Sequence, residues 1–471
     1  MLSETTNKDS DLSKRYLIEL QEEEKNQLLE QYTDQKRNHN VCVAGHVDSG
    51  KSTFSGHLLL QLGLISQHQL DKFEKESSAI GKASFKFAWF LDLCTAERQR
   101  GITIENTVKE ANTANRKITL VDTPGHSNFI DAAVEGYNQA DIAILMVPAG
   151  EGEVDNTKQH IFLLRVSAMQ KIIVFINKMD SVDYKENIFL NTKKEVLEEL
   201  LKVGFKETQI TFIPGSAFLG DNIKTIDKKK YSWYQGRSVI DELDCISLPL
   251  SEEEKYGTKI LPVFDRYNVT GIGTVFVSKI ANGFIRKGTK LRVLPGQNIV
   301  EIKSIEMHNK EIIFGKKGDN IGFTVKTLPQ KVPENSVFVG LESSISSVTT
   351  FVSRIKLFDT RSQSKKDQDI NSAGEDNRAP HLTIGSQPML LFTNCKIACK
   401  VKEIRAINQS GHNLVCPEEG FAIVKVNQVA DIVFETTHGR SIVLDPKYKD
   451  ITRFCIKLRE TIGAGSVIAI E

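Results

Sequence analysis

The octapeptide Gly45-His46-Val47-Asp48-Ser49-Gly50-Lys51-Ser52 fits the pattern G-x-x-x-x-G-K-[ST]. Residues 41–44 before it are a short apolar run, and 52–62 after it carry a helical pattern. A strand, a glycine loop and a helix in that order constrain the fold more than any other stretch of the chain. Glycines let successive backbone N–H groups turn inward around phosphate oxygens. The helix N-terminus adds the positive end of its dipole. In this reading Gly45, Val47, Asp48, Ser49 and Gly50 cradle phosphates and Lys51 reaches the β- and γ-phosphates. The Ser52 hydroxyl ligates Mg²⁺, and Thr53 touches the α-phosphate.

Further apolar runs at 117–121, 142–147 and 171–176 are separated by helical stretches. Strands alternating with helices predict a mostly parallel, doubly wound α/β sheet, here over residues 39–257. Beyond about 258 the texture changes to short strand-like runs at 261–263, 273–277, 290–293, 300–305 and 321–326, punctuated by Gly and Pro. Such spacing predicts an all-β barrel at 258–345 and a second at 346–471. The polar stretch 361–377 reads as a surface loop within the second barrel, and 1–38 as a charged, partly helical extension.

Three more segments follow strands of the α/β region. Asp122-Thr123-Pro124-Gly125 places an acid where it can hold Mg²⁺ through water, and the Gly125 N–H where it can sense a γ-phosphate. Asn177-Lys178-Met179-Asp180 brings a carboxylate able to accept from the N1–H and the exocyclic amine of guanine. Adenine lacks that donor pair, so a buried Asp180 selects GTP over ATP. Ser216-Ala217-Phe218 completes the base pocket through its backbone. Thr103, within Arg100-Gly101-Ile102-Thr103-Ile104, is either a residue that closes over Mg²⁺ or a threonine in a strand. His126 is either a water-orienting group or a surface histidine; the residues alone leave both open.

Composition excludes several classes. Lys+Arg number 61 against 60 Asp+Glu, for a net charge of +1, so the chain is no wholesale polycation. Seven cysteines spread thinly argue against a disulfide framework, and Cys395 and Cys399 have no second pair near them to complete a metal site. No apolar run approaches the length that spans a bilayer. The expectation is a cytoplasmic protein, monomeric and without membrane contact.

The stretches GHVDSGKST (45–53), GKASFKFAWFLD (81–92), ERQRGITIE (97–105), DTPGH (122–126), NKMD (177–180), GIGTV (271–275), IKSIEMH (302–308) and TIGAGSV (461–467) resemble the translational GTPases related to elongation factor 1-alpha. The resemblance implies an enzyme that hydrolyses GTP to GDP and phosphate on the ribosome, with Mg²⁺ as cofactor. It implies that Thr103 is the switch Mg²⁺ ligand and that His126 positions water once the ribosome's sarcin–ricin loop holds it. It implies that Val47 and Ile102 form an apolar gate beside His126, and that Asp48 binds a monovalent cation or braces the loop. The first barrel is expected on the small subunit and the second on the delivered partner.

Three branches share this body. They deliver aminoacyl-tRNA, a release factor, or a Pelota-like tRNA-mimicking protein; a non-hydrolysing adaptor is a further alternative. Residues 56–89 and 203–223 are similar to the rescue branch, while 271–275 and 302–308 lean toward the elongation factor. The segment 151–160 departs from the family, reading Asn156-Thr157-Lys158-Gln159-His160 at its end. Near-neutral charge also sets the chain apart from the typically basic elongation factors. The rescue branch is therefore the expected one.

Overall fold

The computed structural model describes residues 38–79, 87–91, 97, 103–150, 152–307, 310–327, 332–358, 381–408, 414–415, 423–458 and 461–471. The expected helix within 1–38, the loop 361–377 and Ile102 lie outside the described residues. The chain divides into two compact units between Leu248 and Pro249.

In the first unit a six-stranded sheet runs in the order β2-β3-β1-β4-β5-β6. Its strands are β1 (Asn38–Ala44), β2 (Thr107–Asn112), β3 (Lys117–Asp122), β4 (Ile142–Pro148), β5 (Lys171–Asn177) and β6 (Ile210–Pro214). Neighbours from β3 through β6 pair in parallel, and β2 alone runs antiparallel at the edge. All seven residues of β4 are buried. A strand covered on both faces can be apolar throughout, which is why such runs stood out in the sequence. The edge strand β2 did not stand out. Its Thr-Val-Lys-Glu-Ala-Asn alternates buried and exposed positions and carries the charges that discourage pairing with another chain.

Helices α1 (Lys51–Gln61), α2 (Gln67–Ala79), α3 (Ile130–Asn138), α4 (Glu153–Val166) and α5 (Glu186–Lys202) lie between these strands, and α6 (Val239–Cys245) follows β6. Because β1 has β3 on one side and β4 on the other, the strand order reverses at its carboxyl end. In open α/β sheets that is where ligands bind.

His39, near the start of β1, is buried. Burial, reinforced by Arg116, pushes its pKa down to about 4 from 6.5. The unfolded chain therefore takes up this proton first. The stability tied to neutral His39 is complete above about pH 6.5 and is lost as pH falls toward 4, on the order of 3 kcal/mol in all. Thermal melts of the full chain are expected to show His39→Gln losing less stability than wild type between pH 6.5 and 4.5. Parallel losses would remove His39 as a cause of acid sensitivity.

The second unit holds two closed rings. One runs through Lys290–Leu294, Val337–Gly340, Ile260–Val269, Gly273–Lys279, Asn320–Val325 and Asn298–Met307, then back to Lys290–Leu294. The other runs through Met389–Phe392, Arg453–Leu458, Thr461–Ile470, Thr350–Phe358, Val429–Thr436 and Lys396–Asn408, and closes the same way. Closure leaves no unpaired edge within each ring. Phe276, Phe323 and Phe338 fill the first, with ring centroids 5.1–5.5 Å apart. Phe351, Phe392, Phe434 and Phe454 fill the second. An apolar seam of Ile260, Leu294, Val337 and Val339 against Val443 and Ile451 joins the barrels.

The short helix α7 (Glu252–Tyr256) packs with the barrels, since the Asn282 side chain donates to the Glu253 carbonyl at 3.2 Å. Residues 249–257, assigned to the α/β domain from sequence, thus belong to the β unit. Cys399 is buried in its strand, with Cys395 just before that strand begins. Neither forms a disulfide, and burial pushes both thiols up to about 12. Among the described residues no helix is long and apolar enough to cross a membrane.

Candidate functional site

Four segments meet at the carboxyl ends of β1, β3, β5 and β6. The glycine loop leaves β1 and enters α1 at Lys51. Asp48 and Gly50 both have positive φ, 60° and 91°. Gly50 has a second reason to be glycine, because a Cβ there would collide with the Asn177 side-chain amide. Ser49 is buried, and its hydroxyl donates to the His46 carbonyl at 2.8 Å. The Lys51 ammonium donates to the same carbonyl at 2.8 Å. Lys51 is only 7% exposed, and burial pushes its pKa down to about 8, against the pull of Asp122 and Asp48. Gly125 lies against that ammonium, where a Cβ would collide with Nζ. Thr53 and Val47 are half-buried and Asp48 is exposed.

Three oxygens converge beside Lys51. The Ser52 hydroxyl donates to Asp122 Oδ2 at 2.9 Å and lies 3.0 Å from Thr103 Oγ1. With the Ser52 proton directed at Asp122, Thr103 donates to Ser52. Asp122 is fully buried, and desolvation raises its pKa despite the two serine hydroxyls that favour its charge. A buried carboxylate flanked by hydroxyls, with a lysine beside it, is a hard oxygen set that fits Mg²⁺ better than a softer metal. Thr103 is 8% exposed and lies outside any strand, which excludes the strand reading.

The sequence reading missed two residues here. Ser55 donates to Asp122 Oδ1 at 2.8 Å. Its spacing of three from Ser52 put both hydroxyls on one helix face, a signal that was available. Glu97 is buried, and its carboxylate accepts from the backbone N–H groups of Ile104 and Glu105 at 2.9 and 3.3 Å. It thereby holds the segment that presents Thr103. A lone glutamate in a polar stretch gave no such signal.

Asn177 ends β5 and joins two loops. Its amide donates to the Ser49 carbonyl at 2.7 Å, and its oxygen accepts from Ala217 N–H at 2.8 Å. The Ala217 carbonyl in turn lies 2.9 Å from His57 Nδ1 on α1. Ser216 and Ala217 are buried, while Phe218 is 47% exposed. Lys178 adopts a left-handed conformation, and Asp180 follows it on a solvent-facing 3₁₀ turn (Met179–Val182). Asp180 is exposed rather than buried, which corrects the sequence expectation. The turn carries it past the end of β5, where it meets solvent.

His126 is half-buried and caps the 3₁₀ turn Ser127–Phe129. Its Nδ1 accepts from the Asn128 N–H at 3.1 Å. The neutral ring therefore carries its proton on Nε2.

Residues 36–267 match the profile of the elongation factor Tu GTP binding domain. Elongation factor 1-alpha of Methanocorpusculum labreanum is 33% identical over 434 residues, covering 92% of this chain and 97% of that protein. Elongation factor 1-alpha of Plasmodium falciparum is 34% identical, covering 92% and 95%. Elongation factor 1-alpha 1 of Euplotes crassus is 35% identical, covering 93% and 97%. Among solved structures, the S. cerevisiae Ski7 GTPase-like domain bound to GDP and inorganic phosphate shares the fold, with TM-score 0.69 at 17% identity over 93% of this chain and 99% of that one. The chain belongs to the elongation factor Tu/elongation factor 1-alpha family of translational GTPases, which act on the ribosome, and it is a guanine-nucleotide-binding GTP hydrolase.

Proposed function

We propose that this GTPase delivers a Pelota-like, tRNA-mimicking protein to stalled ribosomes in the cytoplasm. The observation that carries the reading is its equal distance from elongation factors of widely separated organisms. Identity to the archaeal, Plasmodium and Euplotes proteins stays within 33–35%. Such even distance fits a branch separate from both elongation-factor lines. The charge balance, 61 Lys+Arg against 60 Asp+Glu, supports a protein cargo over a polyanionic one. Aminoacyl-tRNA delivery is the second reading, favoured by the elongation-factor names of these relatives.

The same residues serve either cargo. Gly45–Thr53 N–H groups and Lys51 hold the phosphates, and Gly125 N–H meets the γ-phosphate. Ser52, Thr103 and Asp122 would hold Mg²⁺, which would offset phosphate charge. Asp180, with Asn177, Lys178 and the 216–218 backbone, recognises guanine. His126 presents Nε2–H and orients the attacking water by donating to it. This is positioning and electrostatics, with no covalent intermediate. In this reading Val47 and Ile102 act as the apolar gate beside His126, and Asp48 braces the loop or binds a monovalent cation.

The full chain loaded with a non-hydrolysable GTP analogue is expected to retain a Pelota-like protein from a cell extract and to ignore charged tRNA. Recovery of aminoacyl-tRNA instead would replace the rescue reading with elongation, and recovery of a release factor would replace it with termination.

A further inference from the structure

His160 holds none of the roles assigned to the nucleotide pocket, although it lies directly behind it. It projects from α4 and is 2% exposed. Its Nδ1 lies 2.8 Å from the hydroxyl of Tyr137, a fully buried residue of α3. The ring also makes a hydrogen bond to the Gly125 backbone, and Lys51 and His46 are close enough to disfavour its protonation. Behind Tyr137 stands Thr123, whose hydroxyl donates to the Val43 carbonyl at 2.7 Å and touches the Tyr137 hydroxyl. A single buried chain of polar groups thus runs from β1 through the Asp122–His126 segment to two helices.

The chemistry of the ring fixes its state. Burial, with Lys51 and His46, pushes the His160 pKa down to about 3, so the imidazole is neutral. A neutral imidazole has one donor and one acceptor. The Gly125 carbonyl can only accept, so Nε2 carries the proton. Nδ1 is then the acceptor, and the Tyr137 hydroxyl donates to it. Tyr137 selects the tautomer, and that tautomer anchors the Gly125 carbonyl. This carbonyl belongs to the peptide that joins Gly125 to His126. A glycine peptide without an anchor rotates readily.

We propose that His160, held by Tyr137, is a positioning residue that sets the Gly125–His126 peptide and so ties α4 to γ-phosphate sensing and to the placement of His126. This rests on the reading that Gly125 N–H meets the γ-phosphate. GDP lacks that phosphate, so its binding does not draw on the anchor. A side chain that merely filled space would affect both nucleotides alike.

The test compares GDP and GMPPNP affinities, single-turnover hydrolysis on ribosomes, and amide hydrogen exchange across 122–128, all in the full chain. His160→Leu is expected to keep GDP affinity within about twofold and to weaken GMPPNP binding and hydrolysis about 10-fold each, the scale of one lost hydrogen bond to a reacting segment. His160→Gln retains a donor near the position of Nε2 and is expected to restore most of both. Tyr137→Phe removes only a hydroxyl and is expected to fall between them. It carries the test alone if the leucine variant does not fold. Equal losses for GDP and GMPPNP, or glutamine no better than leucine, overturn the proposal. Wild-type protein whose 122–128 exchange is the same in GDP and GMPPNP removes the γ-phosphate reading itself. A wild-type difference that persists in His160→Leu removes only the role of His160.

Discussion

Replacing His126 with alanine is expected to leave GTP and GDP affinities within about twofold and to lower ribosome-stimulated turnover by about 10³-fold. The affinities survive because the ring holds no part of the phosphate loop. Among the described residues the half-buried ring accepts a hydrogen bond from Asn128 N–H and lies against Phe129. Turnover is expected to fall because, in the proposed mechanism, Nε2–H fixes the attacking water in line. The bond from Asn128 also limits what the ring can do. While Nδ1 accepts that bond, the neutral ring can donate to water but cannot take its proton, so the expected role is orientation. A His126→Gln variant, which keeps a donor, should therefore recover part of the loss. Single-turnover phosphate release from programmed ribosomes makes the measurement. Stimulated rates equal to wild type in the alanine variant would remove His126 from the mechanism.

Asp180→Asn should weaken GTP and GDP binding by about 10²–10³-fold and favour xanthine nucleotides. A carboxylate accepts from both N1–H and the exocyclic amine of guanine. An amide offers one acceptor and one donor, which suits the C2 carbonyl of xanthine instead. Sites built around such hydrogen bonds reject the mismatched ligand by about 10⁴–10⁵-fold when fully buried. The smaller figure follows from the exposure of Asp180 on its 3₁₀ turn. Displacement of a fluorescent GDP analogue by XDP measures it, and unaltered guanine affinity would show that the base is recognised elsewhere.

Much of this site was legible in residue type and order. The glycine loop, Asp122, Asn177 and Asp180 each follow an apolar run, and each run is a buried strand of a parallel sheet. Burial on both faces imposes the apolar run, and the sheet brings its carboxyl ends together, so motif order predicted the pocket. The edge strand β2 was not legible, since a one-sided, charged strand resembles a loop. Ser55 and Glu97 were missed for different reasons. The helical spacing of Ser55 from Ser52 was readable, whereas Glu97 acts through backbone N–H groups of residues 104 and 105, and such contacts leave no side-chain pattern.

From the sequence alone came the fold class, the phosphate loop and the identity of the residues around it, because strand burial and loop chemistry are local properties written in residue type and spacing. Only the tertiary structure decided which groups share a proton or a carbonyl. It placed Ser52, Ser55 and Thr103 around one buried carboxylate and put Asn177 between two loops. It set His160 and Tyr137 behind Gly125, and it left Asp180 exposed. Those outcomes depend on distances of about 3 Å between segments far apart in the chain. Hydrogen bonds at that range are set by how whole strands and helices pack, which residue type and spacing do not encode locally.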